Sequence, residues 1–259
     1  MKQTILNTKQ SVLLENLIVK YGQVVTSEQI YNLTKGVLDQ QGTKKIIAKL
    51  TRNGWLIRVK RGLYVISDLS NRGFLSLSPY VVANLLVKES YVSFESALAY
   101  HSMFDQLTNK TISISRVQYK TVQLQSVEYS FVKAQDKWFF GWQDVNIDNR
   151  TVYIATAEKA LIDMIQFHKS KYTVDVVVEK LSLYKDSLDF QKMTEYLSTM
   201  SLTTIKIFGL LFDLLKIDSD NLHNQVKLKG THWMFSGDTK FNAKWRLYYD
   251  SYFDKYHLI

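Results

Sequence analysis

At residues 42–66 the chain runs GTKKIIAKLTRNGWLIRVKRGLYVI, which predicts one helix, a short apolar strand, a basic turn and a second short strand. At 100° per residue, Lys45, Lys49 and Arg52 share one side of that helix, and apolar side chains lie roughly opposite. Neither Asp nor Glu occurs between residues 40 and 67. A helix that packs on a core and offers cations outward, followed by a basic hairpin, is typical of a recognition helix and wing. The segment therefore predicts a DNA-binding domain.

The positive charge of the chain is concentrated around this segment. Residues 1–70 carry eight Lys and three Arg against two Glu and two Asp, a net charge of +7. The other 189 residues carry 22 basic and 20 acidic side chains, a net charge of only +2. A local basic excess is better evidence for a nucleic-acid partner than a generally basic protein is.

The residues before this segment complete a recognisable plan. Thr8–Tyr21 has helical apolar spacing and is closed by Gly22, and a short β-branched stretch follows. Thr26 or Ser27 is expected to cap a second helix, and the third helix is expected to begin at Gly42–Thr43. Three helices and a basic hairpin within residues 1–70 predict a winged helix-turn-helix domain.

A recognition helix enters the DNA major groove with its first residues facing base edges, while later cations and the wing meet the backbone or a minor groove. Residues 43–45 are therefore expected to read bases. Backbone amides near Ser27 are expected to hold a phosphate at a helix amino terminus. The predicted DNA-binding residues are Ser27, Thr43, Lys44, Lys45, Lys49, Arg52, Arg58, Lys60 and Arg61. The alternatives are a merely solvated basic face or a protein-interaction module.

Residues 67–77 are polar and turn-forming, and the only proline, Pro79, follows at the expected first turn of a new helix. We place the domain boundary there. Residues 79–259 show helical segments, then alternating strands such as 111–115 and 138–142, then helices again, which predicts an α+β domain. The aromatic tail 243–257 is expected to be a packed amphipathic helix rather than a stacking platform for single strands.

No enzymatic constellation is evident in the sequence. Cysteine is absent, the five histidines lack HxxxH or HExxH spacing, and no GxGxxG, GxxxxGKS/T or GxSxG motif occurs. Glu158 and Asp163 resemble a nuclease carboxylate pair, but a carboxylate in the first turn of a helix needs no catalytic explanation. We expect no enzyme, no metal and no cofactor. The polar amino terminus and the lack of a long apolar run predict a cytoplasmic protein without a membrane span.

Four motifs carry a resemblance to a known family. They occur in the order GQVVTSEQI, LTRNGWLIRVKRGLYVI, YVSFESALAYHSM and YIATAEKALIDMI, and KWRLYY follows more loosely near the end. Together they resemble AbiEi proteins, the antitoxins of type IV toxin–antitoxin and abortive-infection phage-defence systems. One departure is Ala157, where the family often has proline; alanine should change the entry turn of the helix but not the fold.

The resemblance implies a function for each domain. The winged helix is expected to bind inverted repeats of double-stranded DNA in the protein's own promoter and to repress the operon, as a monomer in solution that is cooperative on DNA. The carboxy-terminal domain is expected to counter a nucleotidyltransferase-like toxin without forming a stable complex with it. The alternatives are a one-component regulator with a ligand-sensing second domain and a nuclease with an appended DNA-binding domain.

Overall fold

The computed structural model describes residues 6–105, 109–226 and 229–258. The chain is mixed helix and sheet, 45% helical and 21% strand, so the predicted α+β class is confirmed. It divides into two compact units, one formed by Met1–Lys88 with Gln123–Val127 and the other by Glu89–Val122 with Glu128–Ile259. Within the described residues, no helix has both the length and the apolar character needed to cross a membrane.

Residues 6–88 of the first unit form four helices and three strands. In chain order they are α1 (Thr8–Tyr21), β1 (Val24–Thr26), α2 (Ser27–Thr34), α3 (Gln40–Arg52), β2 (Leu56–Lys60), β3 (Leu63–Ile66) and α4 (Pro79–Leu86). The three strands form an antiparallel sheet in the order β1–β3–β2. This is the element order of a winged helix-turn-helix domain, in which β2 and β3 form the wing.

Apolar faces of the three amino-terminal helices meet the sheet in one core. Leu17, Ile30 and Leu50, one from each helix, are at most 1% exposed, and Leu56 of β2 is fully buried beside them. The predicted limits of α1 are confirmed because local signals fix both ends. At the start of α1, the Asn7 side chain accepts a hydrogen bond from the Gln10 amide at 2.9 Å. At its other end, Gly22 is the C-cap.

Helix α3 begins two residues earlier than the sequence pattern predicts. Asp39 is its N-cap, and its carboxylate accepts a hydrogen bond from the Gly42 amide at 2.7 Å. A carboxylate at this position satisfies an otherwise unpaired amide and interacts favourably with the helix dipole. The first turn of the recognition helix therefore starts at Gln40.

Replacing Asp39 with alanine is expected to destabilise the first unit by about 1 kcal/mol, since the Gly42 amide loses its capping partner. The measurement is urea-induced unfolding followed by circular dichroism. Asp39→Asn is the matched control, because asparagine caps nearly as well. An alanine variant as stable as the unchanged protein would contradict this role for Asp39.

The remaining elements follow in chain order. They are β4 (Ser90–Val92), α5 (Phe94–Tyr100), β5 (Lys110–Ser115), β6 (Val122–Leu124), β7 (Val127–Lys133), β8 (Trp142–Ile147), β9 (Arg150–Ala155), α6 (Ala157–Phe167), α7 (Lys171–Leu183), α8 (Phe190–Leu197), α9 (Leu202–Leu214), α10 (Asp220–Val226), β10 (His232–Trp233), β11 (Lys240–Asn242) and β12 (Leu247–Tyr249). In the second unit, five strands lie side by side in the order β7–β5–β4–β9–β8. A smaller sheet of the same unit has the order β10–β12–β11.

Two expectations for this region are wrong. Residues 138–142 are not a strand, because a 3₁₀ turn occupies Asp136–Trp138 and β8 begins only at Trp142. The tail 243–257 is packed but is not one α-helix, because Arg246 adopts a positive φ of 49°, β12 follows, and a 3₁₀ helix covers Ser251–Leu258.

Trp245 anchors the tail on helix α9. Trp245 is 1% exposed, and its ring lies directly against Gly209 in the middle of α9. A Cβ atom at position 209 would overlap that ring, so the close approach requires glycine. The indole nitrogen donates a hydrogen bond to the Asp213 carboxylate at 2.7 Å, which satisfies its only polar group.

Candidate nucleic-acid interface

A groove of about 690 Å³ lies between α3 and the wing of the first unit. Its lining combines four cations with small or apolar side chains. The lining residues are Ser27, Lys44, Ile47, Ala48, Thr51, Arg52, Arg58, Arg61, Gly62 and Tyr64. The cations come from the helix, from β2 and from the turn after it, so three separate elements place positive charge on one concave surface.

Helix α3 has the two faces that its sequence predicts. Ile47 and Leu50 are buried in the core. Lys44, Lys45, Lys49 and Arg52 are exposed along the other side of the helix. A helix anchored on one face can present the other to a ligand without losing its position.

Thr43 requires a correction, because its side chain is part of the core and not of the surface. It is 2% exposed, and its hydroxyl forms a 2.7 Å hydrogen bond with the hydroxyl of Thr34. The Thr43 hydroxyl also lies 3.1 Å from the Asp39 carbonyl oxygen, to which it donates. This residue joins α2 to α3 and is not available to a base edge in this structure.

Lys60 also requires a correction. Its ammonium donates a hydrogen bond at 2.9 Å to the carbonyl oxygen of Leu86, the last residue of α4. Burial and then the nearby charge of Lys88 lower the pKa of Lys60. The register of β2 against β3 shifts between Arg58 and Lys60, and such a bulge re-aims the side chains that follow it. Arg58 and Arg61 stay exposed and are the wing cations that face solvent.

The backbone amides of Thr26 and Ser27, expected to hold a phosphate at the amino terminus of α2, already have partners within the protein. The Ser27 amide donates to the Gly62 carbonyl at 2.9 Å. The Thr26 amide donates to the Gln29 side chain at 2.8 Å, and Thr26 in turn caps the Gln29 amide. Ser27 contributes to the groove through its position in the lining and not through a free amide.

Gln40 and Gln41 were missed by the sequence reasoning. Both are exposed in the first turn of α3, where a recognition helix reads bases. A glutamine amide can bind adenine through two hydrogen bonds in the major groove. The signal that could have found them is Asp39, a strong N-cap residue directly before them.

The carboxylates of the alternative nuclease site do not meet. Glu158 accepts from the Asp189 amide at 3.2 Å and pairs with Lys192 at 3.2 Å. Asp163 is fully buried and belongs to a different set of partners. Within the described residues, no group of three or more His, Cys, Asp or Glu side chains is placed to hold a metal ion.

The partners of Asp163 form a closed network in the second unit. Lys159, also fully buried, makes an ion pair with one carboxylate oxygen. Ser93 donates to the other oxygen at 2.7 Å, and the Tyr91 hydroxyl lies 3.2 Å from that same oxygen. The Lys159 ammonium also donates to Tyr91 at 2.9 Å. Burial raises the pKa of Asp163, and the Lys159 charge opposes that rise. Because each group already has internal partners, this network is a structural element of the core.

The comparisons with known proteins agree with this fold. Residues 13–67 match the family described as transcriptional regulator, AbiEi antitoxin, so the predicted resemblance is confirmed for the segment that contains α3 and the wing. No curated protein matches the chain. The crystal structure of the RV2827C protein from Mycobacterium tuberculosis has a TM-score of 0.68 at 14% identity, covering 99% of this chain and 96% of that one. At that identity the likeness shows the fold alone.

Proposed function

We propose that this chain is an antitoxin of a type IV toxin–antitoxin system that also represses its own operon, and that its winged helix binds inverted repeats in its promoter. The observation that carries this proposal is the cationic groove between α3 and the wing, which lies inside the segment that matches the AbiEi regulator family. Its exposed cations have the chemistry required by a DNA backbone, and α3 has the exposed polar first turn required by base edges.

In this proposal, α3 enters the major groove, where Gln40, Gln41 and Lys44 read bases. Lys45, Lys49 and Arg52 meet phosphates. The wing cations Arg58 and Arg61 meet the neighbouring backbone or minor groove. Each half of an inverted repeat takes one copy of the domain, so a protein that is monomeric in solution binds the operator cooperatively as two copies.

The carboxy-terminal domain, residues 79–259, is proposed to counter a nucleotidyltransferase-like toxin in the cytoplasm without a stable complex. The support is the resemblance of the motifs YVSFESALAYHSM and YIATAEKALIDMI to AbiEi proteins. We assign no catalytic residue, metal or cofactor to this domain. Its motifs account for the core instead, since Tyr91, Ser93, Lys159 and Asp163 all belong to the buried network.

If repression and neutralisation belong to separate domains, a mutation in the first domain is expected to abolish repression and leave neutralisation intact. The groove variant carries Lys44→Ala, Arg52→Ala and Arg58→Ala, which remove three exposed cations from α3 and β2. With the adjacent gene product expressed from an unrelated promoter, the groove variant should restore growth as well as the unchanged protein does. In the same cells it should fail to repress a reporter driven by the native promoter.

The matched control removes three exposed cations of the same unit outside the groove, by Lys9→Ala, Lys20→Ala and Lys35→Ala. It should both rescue growth and repress. Loss of rescue in the groove variant alone would contradict a separate neutralising domain. An adjacent product that is harmless to growth would instead favour the one-component regulator. Trp245 and Phe253, two aromatic residues of the carboxy-terminal region that could line a ligand pocket in such a regulator, are buried in the core.

A further inference from the structure

Three aromatic side chains form a ladder across the exposed face of the sheet β10–β12–β11. Trp233 is paired in register with Tyr248, and Tyr248 with Phe241. The Trp233 and Tyr248 rings are stacked, with centroids 5.1 Å apart and planes 11° apart. The Phe241 ring lies 5.0 Å from that of Tyr248. The three rings therefore make one continuous aromatic surface, one ring from each strand.

Strand alternation explains why these rings face outward. Met234 and Leu247, the neighbours of Trp233 and Tyr248 along the chain, are fully buried on the other face of the sheet. Trp233 is 51% exposed and Phe241 is 46% exposed. Both lie on edge strands, so within this sheet each has one side without a neighbouring strand. A contiguous exposed patch of apolar rings, unlike a single exposed ring, often marks a binding site.

Cations lie around His232, the residue directly before Trp233. Arg246 is exposed one residue before β12, and its carbonyl accepts a hydrogen bond from the His232 amide at 3.0 Å, directly before Trp233. Burial first, and then the charges of Lys206 and Lys169, lower the pKa of His232. Lys169 has Asp238 nearby. Among the residues that the structure describes, neither Arg246 nor Lys206 forms an ion pair with a carboxylate.

Lys206 strengthens the positive potential from inside the protein. It is fully buried, and its ammonium donates hydrogen bonds to the carbonyl oxygens of Lys229 and Gly230. Burial and then the charge of Arg246 lower its pKa. Among the residues described, the partners of the Lys206 ammonium are neutral carbonyls, which do not compensate its charge. An anion beside Arg246 is therefore attracted by both residues.

We infer that the Trp233–Tyr248–Phe241 ladder and the adjacent Arg246 form a binding site for single-stranded RNA, in which unpaired bases stack on the rings and a phosphate meets the guanidinium. Base-stacking on aromatic rings beside a positive groove is how proteins bind single strands. Among the described residues, Trp233 and Phe241 each have Tyr248 as their ring partner, so their outer faces are the ones that would receive a base.

The chemistry favours RNA over other occupants. Duplex DNA hides the faces of its bases, whereas RNA loops and ends present unstacked bases to proteins. A neutral sugar would use the rings but not the cations. A protein partner would also bury the rings, and it is one of the outcomes that the test distinguishes. The site uses residues of the second unit only, so it is independent of the cationic groove at α3.

The experiment measures fluorescence anisotropy of a labelled 12-nucleotide RNA without self-complementarity, titrated with the full-length groove variant so that the first domain contributes little. Adding Trp233→Ala should weaken binding about tenfold, the effect of losing one base–ring stack. Trp233→Phe keeps an aromatic face and should bind within about twofold of its parent. Arg246→Gln should weaken binding and reduce its salt dependence.

Tyr172→Ala is the matched control, because Tyr172 is 54% exposed in the same unit but lies on α7, outside the ladder. This variant should bind the RNA as tightly as its parent does. A fully paired RNA should not compete with the labelled strand. The inference is overturned if Trp233→Ala binds as tightly as its parent, or if the deoxy strand of the same sequence binds equally well. It is also overturned if Trp233→Ala abolishes capture of the co-encoded protein while RNA binding stays unchanged.

Discussion

Replacing Lys159 with alanine is expected to lower the free energy of unfolding of the second unit by about 3–5 kcal/mol, the usual effect of breaking a buried ion pair. The change leaves the Asp163 carboxylate fully buried without its cation, and it leaves the Tyr91 hydroxyl without one of its partners. It also removes an aliphatic stem that packs against Gly141. The measurement is the urea midpoint of the second unit, followed by circular dichroism.

Lys192→Ala is the control for this prediction. Lys192 pairs at 3.2 Å with Glu158, which lies on the same helix as Lys159. The Lys192 side chain, however, is 33% exposed. Water replaces much of that interaction, so we expect a loss of about 1 kcal/mol or less. If Lys159→Ala costs no more than Lys192→Ala, the buried network does not stabilise the core, and the motif around it needs another explanation.

The second large effect concerns DNA. The groove variant, with Lys44, Arg52 and Arg58 changed to alanine, is expected to bind a native promoter fragment roughly a hundredfold more weakly at physiological salt, since it loses one base contact worth about 1–3 kcal/mol and the backbone contacts of two arginines. The three side chains are exposed, so the fold should be unaffected. Gel shift with the promoter fragment and with an unrelated duplex separates sequence recognition from general attraction to phosphates.

The control variant Lys9→Ala, Lys20→Ala, Lys35→Ala removes the same charge from the same unit. A small loss is expected from it, because net charge attracts DNA at a distance. An equal loss in both variants would mean that the groove has no special role and that only the total charge matters.

The sequence predicted the elements whose ends and faces depend on neighbours along the chain. Helix α1 and the buried and exposed faces of α3 are in this class, because caps and 3.6-residue periodicity determine them. The cationic face of α3 could be predicted for the same reason. The predicted start of α3 at Gly42–Thr43 is two residues late, because Asp39 is the residue that caps the helix.

The predictions for single residues are wrong where a residue contacts another one that is distant in the sequence. Thr43 is buried because it meets Thr34 of the preceding helix, and Lys60 is held by the end of α4. The tail departs from a helix because β11 pairs with β12 and because Gly209 admits the ring of Trp245. The exposed aromatic ladder depends on the same pairing, which brings Tyr248 of the tail beside Phe241, and periodicity along the chain does not predict such a contact.

The most direct test of DNA recognition by the α3–wing groove is the salt dependence of binding to the native promoter fragment. A plot of log affinity against log salt concentration should have a slope that falls in magnitude by about 0.9 for each phosphate contact removed. The groove variant is therefore expected to lose roughly one to two units of slope, because Arg52 and, where the wing meets the backbone, Arg58 contact phosphates, whereas Lys44 reads a base. The control variant should keep the slope of the unchanged protein. An unchanged slope and affinity in the groove variant would contradict binding of DNA through this groove.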